Sequence, residues 1–167
     1  RGGAAADHVA PHLELRRFLE RRCERLISGS LEPRRGERTI DVTDLEFPDE
    51  TFDLVLCSHV LEHVPQDKVA LAELHRVLDP QGVALLLVPI GAEVTFEDPT
   101  IVTEAERLRV FGQVDHVRLC GNDYRERIAE VGFDVRRIDA MEVFTSTRMK
   151  SHGGLHSDCL FFCRKMG

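Results

Sequence analysis

No run of 18 apolar residues occurs in the 167-residue chain, so no segment is expected to span a membrane. A basic stretch followed by an apolar core is also missing from the first residues, so no secretory leader is expected. The chain starts at Arg1 rather than Met, which suggests a short, cut or processed N-terminus. There is no surplus of positive charge. The formal net charge is −7, with Lys and Arg mixed among Asp and Glu. A dedicated nucleic-acid surface usually shows a basic stripe, so nucleic acid is not an expected partner. Cysteine is sparse: Cys23, Cys57, Cys120, Cys159 and Cys163 make an odd, unevenly spaced set of five. Such a set reads as reduced thiols in the cytoplasm rather than a disulfide framework. Repeats and linkers are absent, so residues 1–167 are expected to form one domain. Apolar residues make up 43% and charged residues 31% of the chain, the balance of a soluble globular protein.

What is present is an alternation of short apolar runs and helical periodicity. Ala4 to Val9 suggests a first strand, stopped by Pro11. His12 to Arg22 places Leu15, Phe18 and Leu19 at helical spacing. Glu24 to Ser30 reads as a second strand, and Thr39 to Val42 as a short third one, with the polar loop Glu32 to Glu37 between them. That loop is shorter than the dozen residues a parallel crossover normally needs. Phe52 to Cys57 reads as a buried strand. Pro65 then suits the first turn of a helix, in which Val69, Leu71, Leu74, Val77 and Leu78 recur. Pro80 and Gly82 stop it. Val83 to Ile90 is continuously apolar, the pattern of a strand buried on both faces. Residues 52–90 are thus a strand–helix–strand unit of a doubly wound sheet. Thr103 to Phe111 and Asn122 to Val131 suggest two further helices, the second closed by Gly132. Phe133 to Phe144 and His156 to Arg164 suggest two last strands, with a polar segment from Thr145 to Gly154 between them.

In open parallel sheets ligands bind beyond the carboxyl ends of the strands. Those ends are Ala10-Pro11-His12, Ser30 to Glu32, Asp41-Val42 and Ser58-His59. An acid there accepts hydrogen bonds from a ribose hydroxyl or an adenine amino group, and a neighbouring amide donates to a ring nitrogen. Asp41-Val42 offers both. An Asp in this setting equally often caps a turn, and spacing alone does not separate the two.

The stretch from Asp41 through Phe47-Pro-Asp-Glu-Thr51 and Phe52-Asp-Leu-Val-Leu-Cys57 to Leu61-Glu-His63 resembles the class I S-adenosylmethionine-dependent methyltransferases. So does the continuation through Leu78-Asp-Pro-Gln-Gly82 to Pro89-Ile90. Phe96-Glu-Asp-Pro-Thr100, Phe111 to Arg118 and Gly121-Asn-Asp-Tyr124 resemble a bacterial subgroup of undefined substrate. The resemblance implies an α/β, Rossmann-like, doubly wound and mostly parallel seven-stranded sheet with its last strand antiparallel. It implies S-adenosylmethionine as cofactor. Ala10, Pro11 and His12 would then hold its methionine part, and Ser30 and Glu32 its ribose. Asp41 would face the adenine amino group and Val42 the ring nitrogen, with Ser58 and His59 near the methyl group. Two positions depart from the family pattern: the loop after the first strand has no glycine, and Ser30 stands where an acid is usual. The expected function is methyl transfer to a small-molecule acceptor. The alternative is a non-methylating protein of the same fold with a degenerate cofactor site.

Several side chains remain as candidates for chemistry. His59 and His116 are the expected general bases, because imidazole suits proton removal near neutral pH. His63 is expected to orient itself through a backbone hydrogen bond, and Tyr124 is a further candidate. His59-Val-Leu-Glu-His63 also matches a zinc-peptidase pattern, which needs both histidines on one helix face. Here it follows directly on a strand, so the methyltransferase resemblance explains the same letters better. His152, His156, Cys159 and Cys163 suggest a metal cluster, against which stands the apolar run holding both cysteines. No metal site and no membrane partner are expected.

Overall fold

A computed structural model describes residues 38–139 and 158–166, together with the pair Gly29–Ser30 and the single positions Arg21, Cys23 and Ile27. The expected first strand, the residues Ala10, Pro11, His12 and Glu32, most of the expected first helix and the 145–154 segment lie outside the described residues. So do His152 and His156. Cys23 and Ile27 belong to neither helix nor strand. The described part of the expected second strand is β1, Gly29–Ser30, which pairs in parallel with β2, Arg38–Thr39. The short connection noted in the sequence does join a parallel pair.

The remaining strands are β3 (Phe52–Ser58), β4 (Leu78–Ala92), β5 (Phe96–Glu97), β6 (Arg118–Gly121), β7 (Phe133–Asp139) and β8 (Asp158–Lys165). These six form one sheet among the described residues, where seven strands were expected; β1 and β2 pair separately. β4 is its axis. On one side β3 runs parallel to it, from Leu54 opposite Val83 to Ser58 opposite Leu87. On the other, β8 runs antiparallel, from Ala84 opposite Cys163 to Pro89 opposite Asp158. β7 is antiparallel to β8 and so shares the direction of β4. Beyond the reach of β8, the end of β4 pairs in parallel with β6, which carries β5. This is the mixed but mostly parallel α/β sheet of a Rossmann-like fold, and the last strand is antiparallel as expected.

Among the described residues three helices accompany it: α1 (Asp67–Val77), α2 (Glu104–Phe111) and α3 (Tyr124–Ala129). α1 buries Ala70, Leu71, Leu74 and Val77 on one stripe. These meet Ala84, Leu86 and Val88 of β4, Tyr124 and Ile128 of α3, and Phe161 and Cys163 of β8 in one core. Intervening residues of β4, such as Leu85 and Leu87, are only half-buried, so burial alternates along a strand whose composition suggests two covered faces. β3 departs further. Leu54 and Leu56 are 38% and 36% exposed. β3 pairs only with β4 among the described residues, which leaves its other edge without a described neighbour.

Local chemistry sets the ends of these elements. Thr103 caps α2 by accepting the Glu106 N–H, and its hydroxyl donates to Glu106 Oε2 at 2.6 Å, a reciprocal cap. Gly112 ends the helix with φ +85°. Gln81 N–H donates to Asp79 Oδ1 at 2.8 Å, bending the start of β4 around Pro80. Gly132 follows α3 with φ +103°, and a Cβ there would meet His75 Nε2 at 3.1 Å. No helix of the described residues is long and apolar enough to cross a membrane.

His75 stacks edge-on against Phe133, ring centroids 4.9 Å apart. Burial, reinforced by the charge of Lys165, holds its imidazole below the usual histidine range. Such a ring is charged more readily in the unfolded chain. Its contribution to stability is complete above about pH 6.5 and is lost as pH falls through the lower folded value. Urea midpoints should therefore drop between pH 7.5 and pH 5, and His75→Leu should shrink that drop. His116 is displaced in the same direction, so some dependence persists in the variant.

Candidate functional site

β2 ends at Thr39, and Asp41 and Val42 lie beyond it rather than in a strand reaching Val42. The cause is local. Thr43 donates its N–H and its hydroxyl to Asp41 Oδ1, at 2.8 and 2.7 Å. Asp44 N–H donates to the Asp41 carbonyl at 3.2 Å. A side chain that bonds its own backbone two residues on turns the chain out of the ladder. The same bonds from Thr43 hold the Asp41 carboxyl below its ordinary range, so it is ionised at neutral pH. Asp41 does cap a turn. It spends one oxygen doing so, and Oδ2 makes no hydrogen bond among the described residues. Val42 beneath it is buried.

The 45–51 loop is tied to α1. Leu45 N–H donates to Glu73 Oε2 at 2.9 Å. Arg76 donates to the Leu45 and Phe47 carbonyls at 2.9 and 2.8 Å and to Glu73 on its own helix. The Arg76 guanidinium holds the Glu73 carboxyl down, so this clasp stays charged.

At the end of β3 the ladder continues for one bond, from His59 N–H to the Leu87 carbonyl at 3.0 Å. His59 then takes a φ of +52°, a conformation that costs a residue with a Cβ roughly 1–2 kcal/mol. The chain leaves the sheet in turns closed by His63 N–H to the Val60 carbonyl and Val64 N–H to the Leu61 carbonyl. Residues 59–66 form no helix, so the one-face arrangement of a zinc peptidase is not made. The turns instead fold Glu62 inward to 1% exposure.

Five ionisable side chains gather there. His59 Nδ1 lies 3.2 Å from Glu62 Oε1. His63 Nε2 lies 4.0 Å from the same oxygen. His63 Nδ1 faces the Asp115 carbonyl at 3.3 Å, the backbone bond expected of it, and Asp115 Oδ2 also at 3.3 Å. The His63 and His116 rings meet edge to face at 4.7 Å. Burial holds His116 below the usual range, with the His63 charge adding to this and Glu62 opposing it. His116 is therefore neutral at neutral pH. The two expected bases, His59 and His116, do come together, through Glu62 and His63.

Sequence reasoning missed what holds this loop. Arg118 is 1% exposed. It donates to the carbonyls of Leu61, Val64 and Pro65 and to Glu97 Oε2. Its guanidinium is also 3.3 Å from Asp67 Oδ1. Asp67, equally buried, takes two bonds from Arg127 at 2.6 and 2.7 Å and one from the Tyr124 hydroxyl at 2.8 Å. Tyr124 is thereby a structural donor to Asp67. Burial and the neighbouring carboxylate push its hydroxyl well above its usual value, keeping the proton on. Ser30 ends β1 opposite Thr39. Cys159 and Cys163 are core residues of β8, and burial pushes the Cys163 thiol up to about 12.

The family described as Methyltransferase domain matches residues 11–86, the stretch that contains β1 to α1 and most of β4. Over that stretch the chain resembles the methyltransferases, and its fold is that of the class I methyltransferases. A solved putative methyltransferase from Bacillus halodurans C-125 has a TM-score of 0.59 at 17% identity, over 92% of this chain and 87% of that one. The 1,6-didemethyltoxoflavin-N1-methyltransferase of Burkholderia thailandensis was solved with its substrate and S-adenosylhomocysteine. It has a TM-score of 0.52 at 19% identity, over 92% of this chain and 57% of that one. At these identities the likeness establishes the fold. The mitochondrial arginine hydroxylase NDUFAF5 of Danio rerio is 29% identical over 152 residues, 84% of this chain and 46% of that protein. The chain thus spans about half the length of that curated relative. The described residues suit the family's cofactor: Asp41 presents an ionised, exposed carboxylate with one oxygen uncommitted, beside an apolar wall at Val42.

Removing the Arg118 guanidinium would strand three loop carbonyls and leave the buried Asp67 carboxylate with Arg127 as its remaining counter-ion. Arg118→Leu should cost about 3–5 kcal/mol, the usual penalty for removing one partner of a buried charge network, read from chemical denaturation.

Proposed function

We propose that this chain transfers a methyl group from S-adenosylmethionine to a small-molecule acceptor. The observation that carries the reading is Asp41, held ionised by Thr43 just past the end of a parallel strand. In this reading Asp41 accepts from the adenine amino group and Val42 lines the ring. Ser30 and Glu32 hold the ribose, and Ala10, Pro11 and His12 hold the methionine end. Ser58 and His59 lie beside the reacting centre. The cofactor supplies an electrophilic methyl group. The protein supplies alignment and proton acceptance. Glu62 holds the His59 ring through Nδ1 and stabilises the imidazolium formed when His59 takes the acceptor's proton. His116, kept neutral by burial, is the second proton acceptor of the cluster.

The net charge of −7 favours a small acceptor over nucleic acid. The reading treats residues 1–167 as one domain working in a reducing compartment, the cytoplasm, on the ground of four buried cysteines that form no disulfide among the described residues. A second reading keeps the fold but transfers no methyl group. Its support is the arginine-hydroxylase relative and the loop after the first strand, which lacks glycine.

Two measurements test the reading. Calorimetric titration with S-adenosylhomocysteine should show micromolar binding, weakened roughly 10- to 100-fold in Asp41→Ala by loss of one charge-assisted bond. Absence of heat at millimolar ligand would reject it. With labelled cofactor and an acceptor found by screening, His59→Asn should lower turnover by about 100-fold or more. Cofactor binding without methyl transfer across the screen would favour the second reading.

A further inference from the structure

Glu62 poses a problem that the methyl-transfer reading does not solve. Its carboxylate is 1% exposed. Oε1 faces His59, while Oε2, also buried, has no hydrogen-bond partner among the described residues. A buried carboxylate oxygen left bare is costly, and such an atom in a native protein marks a missing partner. The groups around it are not random. Glu62, His63 and His116 each offer a donor atom, and these atoms lie within 4.8 Å of one another.

We propose that Glu62, His63 and His116 form a binding site for a divalent transition metal of the zinc and iron(II) class. Two imidazoles and one carboxylate are a donor set for these ions, whereas magnesium and calcium prefer oxygen alone. Glu62 Oε2 is the ligand left over after Oε1 engages His59. His63 binds through Nε2, because its Nδ1 is held by the carbonyl and carboxylate of Asp115. Metal-binding histidines characteristically direct their second nitrogen to such a partner, which fixes tautomer and ring orientation. The third ligand, His116, comes from the segment leading into β6. Bonds of about 2.0–2.1 Å to zinc imply donor separations of about 3.4 Å in a tetrahedron. A donor gap of up to 4.8 Å must therefore close by about 1.4 Å, within the reach of side-chain rotation.

The backbone beneath the ligands is fixed. Val117 N–H donates to the Glu62 carbonyl at 3.0 Å, and Arg118 holds the carbonyls on either side of the Glu62–His63 pair. Three protein ligands leave a coordination position for water or substrate, the arrangement of catalytic rather than structural sites. This site differs from the zinc-peptidase pattern suggested by His59-Val-Leu-Glu-His63: His59 serves as a partner of Glu62, and the third ligand comes from another segment. The inference does not depend on methyl transfer, since metal binding is read in the absence of cofactor; with the metal bound, His116 is a ligand and His59 is left as the proton acceptor.

The test is titration of the tag-free, chelator-treated full chain with cobalt(II), followed by displacement with zinc(II). One equivalent should bind with the visible absorption of a low-symmetry cobalt site, and zinc should abolish that absorption. His63→Ala changes a partly exposed ring, so this variant is expected to fold. It should weaken binding at least about tenfold, as should His116→Ala. A control lacking His152 and His156 should bind normally, and so should Asp41→Ala, which separates this result from failure of the cofactor site. Absence of cobalt binding by the wild-type chain would overturn the proposal. Binding that survives both His63→Ala and His116→Ala would do the same.

Discussion

The arrangement of the candidate site depends on one buried cation. Arg118 stands in the core with every N–H of its guanidinium directed at an oxygen. Isolated, such a charge would be expelled from the interior. It persists because Asp67 and Glu97 face it and because Arg127 balances the second acid, so two acids meet two guanidinium groups. The same cation lets the Leu61, Val64 and Pro65 carbonyls turn inward, away from water. Four consecutive residues then engage one loop. Asp115 holds His63, His116 stacks on it, Val117 donates to Glu62, and Arg118 takes the carbonyls around them. The loop's imidazoles and carboxylate owe their mutual placement to that tetrapeptide.

Much of the scaffold was legible because periodicity and punctuation agree there. The 52–90 unit emerges from apolar spacing, Pro65 and Gly82, and the structure has a strand, a helix and a parallel strand in that order. Asp41 was ambiguous in the sequence, and the structure shows the turn: one carboxylate oxygen accepts from Thr43 while the other makes no hydrogen bond among the described residues. His63 makes its expected backbone bond. The role of Tyr124 was hidden because its partner, Asp67, is 57 residues away. Arg118 and Asp67 left no signal, since a charged residue beside a short apolar run normally marks a surface. Only the long-range pairing turns them into core residues. The exposure of Leu54 and Leu56 was also illegible, because composition identifies an apolar strand but not the neighbours that cover it.

The fold and the chemistry are separable here. A class I methyltransferase sheet places ligands at the ends of its strands, and Asp41 and His59 both lie there. What happens at those ends is decided by side chains, and one fold hosts many activities. The two relatives illustrate the point: one carries the name of an N-methyltransferase and the other that of an arginine hydroxylase. In this chain the strand-end chemistry has two centres. One is a lone ionised carboxylate past β2, and the other is an imidazole cluster around a buried acid past β3.

The bonds from Arg118 to the loop span 53 to 57 residues of sequence. During synthesis the loop leaves the ribosome well before its clamp. The strand–helix–strand unit has local contacts with which to fold early, but the loop has no partner until β6 emerges. Closing so long a loop is slow compared with local helix and turn formation. The loop past β3 is therefore assembled late, and a partly made chain carries the scaffold without the candidate site.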